Sequence, residues 1–91
     1  MILFSGDTRS KLPVIKGKDI FKYLRKHGYV KRSCKGSHHS YKRADGKGSI
    51  ITVAVHGNDE IREGTLRNLI KYLAMNEGKS EEEIKKELME L

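Results

Sequence analysis

An α+β domain is the fold class this sequence predicts: helix, three antiparallel strands, helix, and one further helix at the C-terminal end. Three observations carry it. Apolar residues recur at helical spacing in two separated stretches, Ile20-Phe21-Leu24 and Leu66-Leu69-Ile70-Leu73. Between them lie three segments with β-branched and aromatic residues, divided by Lys35-Gly36 and by Ala44-Asp45-Gly46-Lys47-Gly48. Beyond them, Ser80-Glu81-Glu82-Glu83 has the form of a capping box, with a glutamate three residues after the serine.

Residues 1–10 read as an N-terminal extension and residues 11–91 as a single domain. The irregular stretch runs on to about residue 14, where Leu12 and Val14 are expected to tack it onto the core. The first helix is expected from Lys16 to His27, with Gly17 as its cap and Asp19 in its first turn, where the helix dipole favours an anion. Gly28 is placed to stop it, and His27 falls in the last turn, where an imidazolium is favoured. Strands are expected over Tyr29–Cys34, Ser37–Lys42 and Ser49–Val55. Asp45-Gly46 between two of them is a hairpin signal. The third strand, apolar at Ile50, Ile51, Val53, Ala54 and Val55, should be the most buried. Thr65 is expected to cap a second helix through Ala74, and a third should run from Ser80 to about Met89, with Ile84, Leu88 and Leu91 on its inner side. Two helices can then cover one face of the sheet and leave the other open.

The charge is uneven. Residues 1–48 hold thirteen Lys/Arg against three Asp/Glu, and residues 49–91 hold six against nine. A basic half points to a polyanionic partner. The cations form no periodic stripe, so a membrane surface is not the partner expected. No apolar run approaches the roughly 20 residues of a membrane span, and Met1-Ile2-Leu3-Phe4 lacks the basic flank of a signal peptide. The single Cys34 has no internal disulfide partner, so a reducing cytoplasm is the expected compartment.

The stretch with chemistry in it is Lys35-Gly36-Ser37-His38-His39-Ser40-Tyr41. Imidazole exchanges protons near neutral pH, and phosphodiester cleavage needs one proton removed and one supplied. Neighbouring residues in a strand face opposite ways, so His38 and His39 cannot share one cluster. If Tyr41 faces the helices, His39 does too, and His38, Ser40 and Lys42 face outward. His38 is then the candidate general acid or base, and His39 the runner-up. Lys35, Lys42 or Arg32 would hold the phosphate and stabilise its developing charge. Gly36 would let an RNA backbone approach, Ser37 could orient an imidazole or donate to a phosphate oxygen, and His56 could support RNA from the end of the third strand. Metal-ligand spacing is absent: there is no His-x-x-x-His, Cys-x-x-Cys or carboxylate cluster, so neither a metal nor another cofactor is expected. Cys34 reads as a small neutral or buried thiol.

Several blocks carry a family resemblance. Leu12-Pro13…Gly17-Lys18-Asp19-Ile20…Leu24-Arg25-Lys26-His27-Gly28-Tyr29 is similar to the start of the HicA, or YcfA-like, toxins. Lys35-Gly36-Ser37-His38-His39-Ser40-Tyr41 resembles that family's central Gly-Ser-His motif. Thr52-Val53-Ala54-Val55-His56-Gly57-Asn58 and Glu60-Ile61…Gly64-Thr65-Leu66-Arg67…Ile70 resemble its later blocks. The likeness spans about residues 11–74 and leaves the helix at about 80–90 outside it. It implies a double-stranded-RNA-binding-like α-β-β-β-α fold. It also implies a toxin that cleaves messenger RNA without a metal and is neutralised by a HicB-like antitoxin, with the catalytic histidine at His38. Ala54 stands where the family often has proline, and Ser40 where it often has an apolar residue. Two rival functions fit the same residues: a non-catalytic RNA-binding module of this fold, and a protein-interaction subunit.

Overall fold

The computed structural model describes residues 12–56 and 58–91, so the expected extension over residues 1–10 lies outside the described residues. Helix α1 is Gly17–Lys26, strands β1, β2 and β3 are Tyr29–Lys35, His38–Arg43 and Ile51–Ala54, and helices α2 and α3 are Glu63–Glu77 and Glu81–Met89. The strands form one antiparallel sheet in the order β1-β2-β3.

Helix α1 begins without a side-chain cap, on Lys16 rather than Gly17. Its orphan donor is met by backbone instead: the Gly17 N–H donates to the Asp59 carbonyl at 3.0 Å. The Ile61 N–H donates to the Ile15 carbonyl at 2.8 Å, tying the entry of α1 to the loop after β3. Ile15, not Val14, is the residue this pairing buries, and Val14 stays 74% exposed. Gly28, at φ +86°, ends the helix in the left-handed region where an L side chain is strained.

Helix α2 is longer than the apolar stripe alone predicts. It starts at Glu63 after an extended Arg62 and ends at Gly78, φ +67°. Thr65 therefore lies inside the first turn and is not the cap. Leu66, Leu69, Ile70 and Leu73 face inward as their spacing requires. Helix α3 has the capping box that its sequence announces: the Ser80 side chain accepts from the Glu83 N–H at 3.1 Å, and Glu83 accepts from the Ser80 N–H at 3.0 Å.

One face of the sheet is covered. Tyr29, Tyr41, Ile51, Val53 and Val55 pack into the same core as Ile20, Leu24, Leu73, Ile84 and Leu88. Each such aliphatic side chain contributes roughly 1.5–3 kcal/mol by leaving water. Strand β3 has the largest share of buried positions, as expected, but on one face only. Ile51 and Val53 are buried, whereas Thr52 and Ala54 are exposed.

Two polar clamps join distant elements. Glu87 of α3 accepts from the Tyr23 hydroxyl at 2.6 Å and from the Lys79 ammonium at 2.5 Å. Lys79, then Tyr23, holds its carboxyl below the usual carboxylate range. The His27 ring lies 4.1 Å from the Tyr23 ring, with Nε2 4.0 Å from Glu87. In the second clamp, Asn76 accepts from the Ser49 N–H and donates to the Ser49 carbonyl, both at 2.9 Å. Arg43 donates to the Asn76 carbonyl at 2.6 Å and to Asp45 at 2.9 Å. The Tyr29 hydroxyl donates to Glu77 at 2.7 Å, and burial followed by this bond pushes its pKa up to about 12.

Gly48 sits beneath the second clamp at φ +81°, and a Cβ there would lie 2.7 Å from the Asn76 side-chain oxygen. Gly48→Ala is therefore expected to destabilise the protein by about 1–3 kcal/mol through backbone strain and loss of the Asn76–Ser49 bonds. A lowered urea midpoint, with the far-ultraviolet spectrum unchanged, is the measurement that checks it.

Candidate active site

The open face of the sheet follows from alternation and register. Tyr41 is 1% exposed and belongs to the helix side, so His38, Ser40 and Lys42 point the other way. Residues paired directly across antiparallel strands share a face. His38 pairs with Lys35 on one side and Ala54 on the other; Ser40 pairs with Ser33 and Thr52; Lys42 pairs with Val30. The face therefore holds three rows. The first contains an imidazole beside an ammonium, the second is a run of hydroxyls, and the third begins with a second ammonium. Ser40 Oγ and Thr52 Oγ1 lie 3.3 Å apart.

His38 is the first residue of β2 and is exposed. Its ring makes no hydrogen bond with the described residues, so neither ring nitrogen is engaged by them. Lys35, the last residue of β1, is exposed directly opposite. Gly36, at φ +59°, and Ser37 form the two-residue link between them. A glycine at positive φ in the first central position is what a type II′ hairpin turn needs. No heavy atom lies within 4 Å of where a Gly36 Cβ would be, so the backbone there is approachable. Ser37 is half-buried, and its carbonyl accepts from the Val55 N–H at 2.9 Å. That bond extends the ladder one pair past β3 and brings exposed His56 beside the turn.

The other cations are placed less uniformly. The Lys42 ammonium donates to the Gly48 carbonyl at 2.8 Å, which draws it toward the hairpin end of the face. Arg32 is the residue left over where the β1–β2 register shifts between Lys31 and Ser33. Lys31 turns to the covered side, its ammonium 5.7 Å from the centre of the Phe21 ring and 5.9 Å from that of Tyr41. Cys34 is exposed rather than buried and pairs across the strands with His39. Among the described residues, no group of three His, Cys, Asp or Glu side chains could hold a metal.

His39 is separated from this site by the sheet itself. Its ring lies 4.4 Å from Phe21, and Nδ1 is buried without a hydrogen-bond partner. Burial, then the charge of Lys31, lowers its pKa, against a weaker opposing interaction with the Val55 backbone. Folding thus favours the neutral ring. The unfolded chain therefore binds a proton at His39 more readily than the folded one. Stability from this group is complete above the unfolded value of about 6.5 and is lost as the pH falls below it. Urea midpoints measured from pH 7.5 down to 5 are expected to fall, with a shallower fall in His39→Phe.

Sequence reasoning did not find Ser33 and Thr52. Alternation from Tyr41 reaches Ser40, but only the register reveals which residues flank it.

A family model described as the HicA toxin of bacterial toxin–antitoxin matches residues 17–75, more than half of the chain. The chain belongs to the HicA toxin family. The match covers α1, the whole sheet and most of α2, and so contains His38 and every residue of the open face. HicA membership makes the protein a toxin of a toxin–antitoxin pair, for which an antitoxin is the implied partner. Helix α3 lies beyond the matched HicA residues. Neither the curated proteins nor the solved structures give a match. No described helix is long and apolar enough to cross a membrane.

Proposed function

We propose that this HicA toxin is a metal-independent endoribonuclease that cleaves messenger RNA, with His38 as general acid or base. The observation that carries the reading is the exposed His38 imidazole, directly opposite Lys35 on the uncovered face of the sheet. The ribose 2′-hydroxyl attacks the adjacent phosphorus; a 2′-oxygen–phosphorus bond forms and the 5′-oxygen–phosphorus bond breaks. His38 takes the proton from the 2′-hydroxyl, or gives one to the departing 5′-oxygen, and water carries out the other proton transfer. Such a role is typically worth about 10²–10⁴-fold in rate. Lys35 stabilises the negative charge gathering on the phosphoryl oxygens, with Arg32 and Lys42 holding neighbouring phosphates and Gly36, Ser37 and His56 bordering the strand's path. Because the nucleophile belongs to the substrate, DNA is spared. A HicB-like antitoxin is the partner that would silence this face.

The test is incubation of the purified protein with RNA in the presence of a chelator. Cleavage with a 2′,3′-cyclic phosphate end, abolished by a 2′-deoxy substitution at the cut position, supports the reading. Binding with no cleavage identifies a non-catalytic RNA module instead.

A further inference from the structure

The two edges of the sheet differ. The outer edge of β1 carries Lys31, Arg32 and Lys35 and is broken by the register shift at Arg32. Charge and a bulge are the devices that stop an edge strand from pairing with another chain. The outer edge of β3 has neither. Residues 50–55 read Ile-Ile-Thr-Val-Ala-Val, without a charge, and among the described residues no strand pairs with their free side.

The register says which backbone groups are free. Val55 donates to the Ser37 carbonyl, so in the same ladder Val53 and Ile51 also turn their peptide groups toward β2. Thr52 and Ala54 alternate with them and aim theirs outward. Beside this edge runs a groove of about 460 Å³, floored by β3 and walled by Asn68, Leu69 and Tyr72 of α2. None of its lining residues is charged, and Ile50 and Tyr72 are 53% and 43% exposed there. Next to its Ser49 end lies Gly48, whose carbonyl accepts from Lys42 of β2, a residue with no acidic partner among the described residues.

We infer that the free edge of β3 takes an extended, acidic segment of a partner protein as a fourth strand. Main-chain bonds to Thr52 and Ala54 supply the pairing, and alternate side chains enter the uncharged groove against Ile50 and Tyr72. The acidic character follows from the open face that the added strand continues, where Lys35 and Lys42 have no acidic partner among the described residues. A second copy of this chain is the less suitable occupant, because it would bring this same cationic face beside its like charge. An added strand lies two strand spacings, about 10 Å, from the middle of β2. Its outward side chains therefore continue the face that holds His38. From the reading above this takes only the existence of a protein partner, and it stands independently of whether RNA is cleaved.

The test uses the full chain and a short synthetic peptide alternating glutamate and valine. Two control peptides alternate lysine and valine, or carry N-methyl groups along one edge. The glutamate peptide is expected to slow amide hydrogen exchange at Thr52 and Ala54 by about tenfold or more. Neither control should do so. Ala54→Pro removes one outward donor without touching the β2 ladder, and the slowing should disappear in that variant. Tyr72→Glu, at an exposed helix position, should also weaken peptide binding while leaving RNA cleavage as it was. Equal binding of the lysine peptide, undiminished slowing at Thr52 in both variants, or no slowing at all overturns the proposal. So does self-association of the free chain through β3, which would make a second copy the occupant.

Discussion

His38→Ala lowers the RNA cleavage rate by about 10²–10⁴-fold and leaves the unfolding free energy within ~0.5 kcal/mol of the parent. The first half follows from removing the proton-transfer group, the second from its exposure and its lack of any hydrogen bond with the described residues. RNA affinity should change little, because Lys35, Lys42 and Arg32 remain. The measurement is single-turnover cleavage of a defined RNA beside a binding isotherm at the same salt concentration. A comparable loss of affinity would make His38 a contact residue rather than a proton carrier. His39→Ala provides the contrast. It removes a ring packed against Phe21 on the covered side, so its larger effect should be on stability.

The second large effect lies far from the chemistry. Ile84→Ala is expected to cost about 2–5 kcal/mol, the usual range for truncating a large buried aliphatic side chain. Ile84 has no exposed surface, although α3 stands outside residues 17–75 that the family model matches. Against a total stability of order 5–15 kcal/mol for a small domain, that loss removes a large share of the margin. Met89→Ala, 69% exposed at the end of the same helix, should change the unfolding free energy by no more than ~0.5 kcal/mol. Paired denaturation curves for the two variants decide whether α3 is part of the core or an ornament on it.

Much of this architecture was legible in the residues. Leu66, Leu69, Ile70 and Leu73 repeat at a spacing that only a helix places on one side. Ser80 and Glu83 mark the start of α3 without help from anything distant. Tyr41 fixes the facing of His38 and His39, because strand alternation is a local rule. What could not be read depends on contacts between segments far apart in the chain. The Asn76–Ser49 and Glu87–Tyr23 clamps join residues 27 and 64 positions apart, and no local pattern signals them. The start of α2 was misplaced because Arg62 precedes it without a capping side chain. Ile15, rather than the expected Val14, is buried, because the bond from Ile61 that orients that segment is invisible before folding. For the site, Lys35 opposite His38 was within reach of hairpin reasoning, whereas the hydroxyl row through Thr52 required the register with β3.

The doubled histidine has a consequence in the arithmetic of the strand. Tyr41 is locked in the interior, so the number of residues between it and an imidazole decides which side of the sheet that imidazole reaches. Loss of Ser40 would send His38 inward and bring His39 out in its place. Two rings in succession thus make the outward imidazole tolerant of a one-residue frame error in β2, because either parity presents one.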